Sequence, residues 1–171
     1  HVITLKEPDA NMLVPKPAIQ KTIFRTVDPP ITYQHATNNI NDFKRQPLLL
    51  TMLTTCGPVM ATADVNGDGK EDVFVGGTQG TPGKVFIQNS RSEFVESVKS
   101  IFNPLHTDAD ALFLDTDGDK DLDLYVVSGG YNEYTEKDKA LQDRLYINDG
   151  AGNFTLSTNT LPAMLVSKSC I

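Results

Sequence analysis

Two cysteines, Cys56 and Cys170, are all that 171 residues contain, too few for a disulfide scaffold. They fall at or near the first strands of different repeats, so two buried thiols are expected rather than a bridge. Histidine is as scarce: His1, His35 and His106. None stands in a motif with a nucleophile, and each reads as a surface or turn residue. Long apolar runs are missing too, since Leu48-Leu49-Leu50 is broken at once by Thr51. A membrane helix needs roughly 18 or more apolar residues, so no span is expected. Basic residues are outnumbered, 15 against 22 acidic, for a net charge of −7. A nucleic-acid surface needs a basic footprint, and none is expected here. No convincing helix pair is present either, which argues against a calcium sensor that opens a groove between helices. The chain begins at His1 with neither an initiator Met nor a signal peptide, as a processed or excised piece would, which leaves export open.

What is there is acidic and repeated. Asp64 to Asp72 reads DVNGDGKED, and Asp115 to Asp123 reads DTDGDKDLD. An oxygen-bearing side chain occupies every second position: Asp64, Asn66 and Asp68, then Asp115, Asp117 and Asp119. A further Asp follows at the ninth position, Asp72 or Asp123. Alternate residues of a tight loop point inward together, and calcium takes about 6–8 oxygen ligands at roughly 2.3–2.6 Å. Position seven, Lys70 or Asp121, would lend its backbone carbonyl. Five Asp crowd the second copy, and without a cation their repulsion opposes a compact turn. Asn-Gly and Asp-Gly favour turns without any metal, but turn chemistry does not require alternate acidic positions twice over. About two calcium sites are therefore expected. The EF-hand fails on spacing: its position 12 is Glu, whereas Val75 or Val126 stands there.

The runs around each loop are short, β-branched or aromatic and ended by glycine, which predicts strand, acidic loop, strand. Alternating runs follow each unit: Lys84 to Gln88 and Glu93 to Val98, then Asp143 to Asn148 and Asn153 to Ser157. The second pair is joined by Asp149-Gly150-Ala151-Gly152, a hairpin signal. The acidic loops lie 51 residues apart (Asp64 to Asp115), while Phe94 and Phe154 lie 60 apart. The nine-residue excess falls within 131–142. Four strands per unit at this period is the pattern of propeller blades. The predicted class is all-β, with propeller-like four-stranded antiparallel blades: about two complete blades plus partial strands, as an open fragment. Residues 1–40 are read as an extended, Pro-rich segment with short strands at 23–27 and 31–35. Residues 41–105 form a first blade, opened by a strand or short helix at 48–54. Residues 106–160 form a second blade with an inserted loop at 131–142, and 161–171 the opening strand of a truncated third repeat. Exposed edge strands would then pair with another chain or with the missing blades.

Asp64-Val-Asn-Gly-Asp-Gly-Lys-Glu-Asp followed by Val-Phe-Val-Gly-Gly resembles FG-GAP/VCBS repeats, the calcium-binding blades of integrin-α-like β-propellers. So does Asp115-Thr-Asp-Gly-Asp-Lys-Asp-Leu-Asp followed by Leu-Tyr-Val-Val-Ser-Gly-Gly. The hairpin from Asp143 to Phe154 is similar to the second hairpin of such repeats in bacterial exported proteins. The resemblance covers about residues 55 to 171. It implies one calcium on Asp64, Asn66, Asp68, Lys70 (carbonyl) and Asp72. A second would lie on Asp115, Asp117, Asp119, Asp121 (carbonyl) and Asp123. Lys120 departs from the glycine common at position six. A secreted, cell-surface or outer-envelope module for binding or adhesion is implied, with calcium as structural cement and a protein or glycan as partner. Within the insertion, Tyr131, Asn132 and Tyr134 are the candidate ligand contacts. The alternative is a propeller-fold hydrolase or lyase segment acting on polysaccharide, but in-loop spacing explains the acidic pairs better as ligands than as glycosidase carboxylates.

Overall fold

The structure, a computed structural model, describes residues 24, 26–36, 40–44, 47–50, 52, 54, 57–99, 102–130, 134, 135 and 137–166. Two four-stranded antiparallel sheets follow one another along the chain. The first orders β1 (Met60–Ala63), β2 (Asp72–Val75), β3 (Lys84–Gln88) and β4 (Phe94–Glu96) side by side. The second repeats the plan with β5 (Asp108–Leu114), β6 (Asp123–Ser128), β7 (Arg144–Asn148) and β8 (Phe154–Ser157). Neither closes into a barrel among the described residues, so the fold is all-β with open, propeller-like blades.

Each acidic loop joins the first two strands of its sheet, pairing Ala63 with Asp72 and Leu114 with Asp123. Successive side chains on a strand point to opposite faces. Phe74 and Val85 therefore share one face of the first sheet, and Leu124, Val126 and Tyr146 one face of the second. These two faces meet, with β1 beside β5. Their core joins Val65, Phe74, Val85, Phe102, Leu124, Val126, Tyr146 and Phe154. Burying each such large side chain stabilises by about 1.5–3 kcal/mol. Phe102, on the connection between the sheets, sets its ring 5.3 Å from Phe74 and 4.8 Å from Tyr146. The Val75-Gly76-Gly77 end of β2 comes so close to the second sheet that a Cβ on Gly76 would lie 2.4 Å from Val59 and 3.0 Å from Asp108.

Several expectations are corrected. Residues 31–35 alternate half-buried and exposed as a strand would, but form no ladder. Ile31 and Tyr33 lie on the face of the first sheet, against Val73, Val75 and Phe86. Strand pairing requires an edge, where N–H and C=O groups are free, so a segment on a face finds none. No described residue of 48–54 is strand, and 47–48 turn. Strand β4 is shorter than the 93–98 run, and no strand forms over 164–166. Residues 1–23, Cys56, Cys170, Tyr131, Asn132 and 167–171 lie outside the described residues, and the expectations placed on them lie there too.

Candidate metal centre

In both loops the carboxylates first organise the backbone. Asp64 accepts hydrogen bonds from the N–H groups of Asp68 (3.1 Å) and Gly69 (2.7 Å), and Asn66 from that of Asp68. Asp115 likewise accepts from Gly118 (2.7 Å) and Lys120 (3.2 Å), Asp117 from Asp119, and Asp119 from Asp121. The departure at position six changes little in shape. Lys120 holds φ at 79°, beside 80° for Gly69.

The ninth-position carboxylates play a different part. Asp72 is fully buried, and accepts from Val65 N–H on one oxygen and Gln88 N–H on the other. Asp123 repeats this with the N–H groups of Thr116 and Asn148, and takes a short bond from the Thr116 hydroxyl as well. Each ties its loop to the third strand of its own sheet. The converging acidic cluster among the described residues is Asp115, Asp117 and Asp119, and neither Asp72 nor Asp123 is part of it. Desolvation raises the pKa of Asp72, against the pull of the Gln88 and Val65 N–H groups.

In the second loop, one oxygen each of Asp115, Asp117 and Asp119 lies within 4.8 Å of the others. Ligands on one calcium stand at most about 5 Å apart, twice the bond length, so the three fit a shared ion. All three are exposed, open to an ion from solvent. Asp117 has its pKa raised: the Asp119 N–H pulls it down, but desolvation and the Asp119 and Asp123 carboxylates outweigh that. In the first loop Lys70 Nζ lies 2.9 Å from Asp68 and offsets one of its four acidic side chains. That hydrogen bond, with the Lys70 backbone N–H, lowers the pKa of Asp68. Asp121 turns its carboxylate toward the β7–β8 hairpin, where a Cβ on Gly150 would meet it at 2.4 Å.

Of the candidate ligand contacts in the insertion, Tyr134 is half-buried and donates its hydroxyl to Thr107. It ties the insertion to the segment leading into β5. A 3-10 helix over Lys139–Leu141, capped by Asp138, buries Ala140 and Leu141 and anchors the other end.

Residues 64–126, from the first acidic loop through the second and into β6, match the family model for an FG-GAP-like repeat. That stretch is similar to an FG-GAP-like repeat. No curated protein and no solved structure matches the chain. The FG-GAP-like match ends within β6, yet the polar groups that hold that sheet in place lie mostly beyond it. Arg144 at the head of β7 forms a buried ion pair with Asp108 on β5, and the other Asp108 oxygen accepts from the Gly77 N–H at 2.6 Å. Asn148 donates across the sheets to the Val65 carbonyl at 2.7 Å. Asp143 accepts from the Tyr125 hydroxyl and from Ser128 N–H. Sequence reading missed these groups. The signal was a charged residue inside an apolar strand, which needs a buried partner. His106, expected at the surface or in a turn, is buried, with Nδ1 3.0 Å from the Ala140 carbonyl.

Proposed function

We propose that the chain is a calcium-stabilised β-propeller module of an extracellular or cell-envelope protein, serving binding or adhesion to a protein or glycan rather than catalysis. The observation that carries this reading is the convergence of Asp115, Asp117 and Asp119 in a loop whose repeat partner shares its left-handed backbone at position six. A cation there offsets carboxylate repulsion, and its binding free energy adds to folding free energy. The ions act as structural cement in the loops, and the insertion supplies the recognition surface. The extracellular setting is supported by the FG-GAP-like repeat; no helix among the described residues is long and apolar enough to cross a membrane. The contact between Ser128 and His106 favours a structural role. The Ser128 hydroxyl is fully buried and donates to the Gln142 carbonyl, which leaves it no proton for the imidazole to take.

A thermal melt with and without a calcium chelator, beside a calorimetric calcium titration, tests the proposal. A clear fall in Tm on chelation and about two sites per chain are the expected results. An unchanged melt with no heat of binding sinks the calcium reading.

A further inference from the structure

Asparagine is a thermolabile residue, and Asn66-Gly67 is the one Asn-Gly pair in the sequence. Its surroundings differ from those of three other asparagines. Asn89 donates its Nδ2 to Glu93 at 2.9 Å, Asn153 to Asp149 at 2.8 Å, and Asn148 to the Val65 carbonyl at 2.7 Å. Asn66 Nδ2 has no partner among the described residues. Its Oδ1 accepts the Asp68 N–H at 3.0 Å, a donor shared with Asp64 at 3.1 Å. The Gly67 N–H is also without a partner among the described residues. Its counterpart in the second loop, the Gly118 N–H, donates to Asp115 at 2.7 Å. Gly67 is exposed, holds φ at 73°, and would meet nothing within 4 Å even if it carried a Cβ. Lacking one, its backbone is free to rotate.

We infer that Asn66 is a deamidation site, at which the chain modifies itself with water as the only co-reactant. The Gly67 nitrogen gives its proton to solvent base and forms a bond to Cγ of Asn66. The charge that builds on Oδ1 is stabilised by the Asp68 N–H already aimed at it, as in an oxyanion hole. The Cγ–Nδ2 bond then breaks, and ammonia leaves with a proton from solvent. Water opens the resulting succinimide at either carbonyl, so the balance is amide plus water to carboxylate plus ammonium. Opening at Cγ leaves aspartate at position 66, with the charge that the second loop carries at Asp117. Opening at the main-chain carbonyl leaves isoaspartate, whose backbone is longer by one methylene. That insertion shifts the Asp68 and Gly69 N–H groups away from Asp64, and the loop loses bonds that shape it. The second loop has no amide at position three to lose. The inference rests on the hydrogen bonding of the first loop and not on calcium.

Peptide mapping by mass spectrometry tests it on the full chain, incubated at mildly alkaline pH with a chelator present, so that no bound ion plays a part. Aspartate and isoaspartate at position 66 are expected to accumulate ahead of any change at Asn89, Asn148 or Asn153, and faster as pH rises. Asn66→Gln, whose longer side chain must close a larger ring, should remove the product. A parallel incubation of the chain unfolded in urea separates the loop's geometry from the Asn-Gly motif alone. The folded chain should convert at position 66 at least as fast, because its acceptor oxygen is already hydrogen-bonded and its attacking nitrogen is unpartnered. A folded chain that keeps its amide while the unfolded chain loses it overturns the inference. So does conversion at Asn89 that keeps pace with position 66.

Discussion

At the head of the third strand the two sheets carry a cation in equivalent places, Lys84 in the first and Arg144 in the second, and they use it in opposite ways. Lys84 lies 2.8 Å from Glu96 with both side chains well exposed, at 34% and 43%. Arg144 and Asp108 are 5% and 3% exposed, and Arg144 also donates to the Ser128 hydroxyl. Desolvation opposes the charge on Arg144, yet Asp108 and its other partners keep the pKa raised. The lesson concerns where each pair sits. The Lys84 pair lies at a solvated surface, whereas the Arg144 pair, through Gly77, joins one sheet to the next. Exposed pairs contribute about 0–1 kcal/mol, while removing one partner of a buried pair costs about 3–5 kcal/mol. Urea denaturation of Arg144→Ala should show the larger loss, and Lys84→Ala almost none. Equal losses would erase the distinction.

The acidic loops make a second contrast. Position three is neutral Asn66 in one and charged Asp117 in the other, and position seven is Lys70 in one and Asp121 in the other. In the first loop Lys70 pairs with Asp68, whereas the second sets five Asp against Lys120. A ligand at a hundred times its Kd stabilises by about 2.7 kcal/mol. Chelation should destabilise mainly through the second loop. Asp117→Asn, which gives position three the first loop's residue, should weaken its calcium affinity and shrink the chelation effect. Calorimetry that finds two equal sites, insensitive to this change, would refute the contrast.

Much of the strand layout was legible because its causes are local. Period-two alternation and turn glycines placed β3 residue for residue, and Asp149-Gly150 announced the β7–β8 hairpin. The ionic groups that register one sheet on the other were not legible. Asp108 and Arg144 are 36 positions apart, and Asn148 and Val65 are 83 apart. Nothing in local pattern says which distant polar groups will meet. Residues 31–35 sit between these cases. Their alternation correctly marks one buried side, but alternation is the same whether a segment pairs at an edge or lies on a face. The ninth-position carboxylates show the same limit, since spacing groups them with the ligands while Asp72 and Asp123 also staple each loop to its sheet.

Position six offers a smaller test. Gly69 and Lys120 share a left-handed backbone, which costs a residue with a Cβ roughly 1–2 kcal/mol. Lys120→Gly should therefore stabilise the protein by about 1 kcal/mol, less whatever entropy glycine adds to the unfolded chain. Gly69→Ala should destabilise it by a similar amount. Paired melts in calcium would check both, and a neutral Gly69→Ala would break the equivalence of the loops.

The smallest expected effect lies in the pH dependence, because the groups concerned are exposed and screened. With calcium chelated, Asp117 holds its proton more tightly in the folded protein than in the unfolded chain. Its contribution is then fully present below the ordinary carboxylate pKa of 3.8 and is lost as pH rises through the raised value. Asp68 is shifted the other way. Its contribution is present above 3.8 and is lost as pH falls through the lowered value. Asp117→Asn should flatten the decline on going from pH 4 toward neutrality, and Asp68→Asn the decline on acidification. Calcium should cancel the first effect, since a bound cation favours the charged carboxylate. Denaturation midpoints of the two variants across that range, with and without chelator, decide it. Parallel profiles would mean that the repulsion among Asp115, Asp117 and Asp119 is relieved by solvent alone.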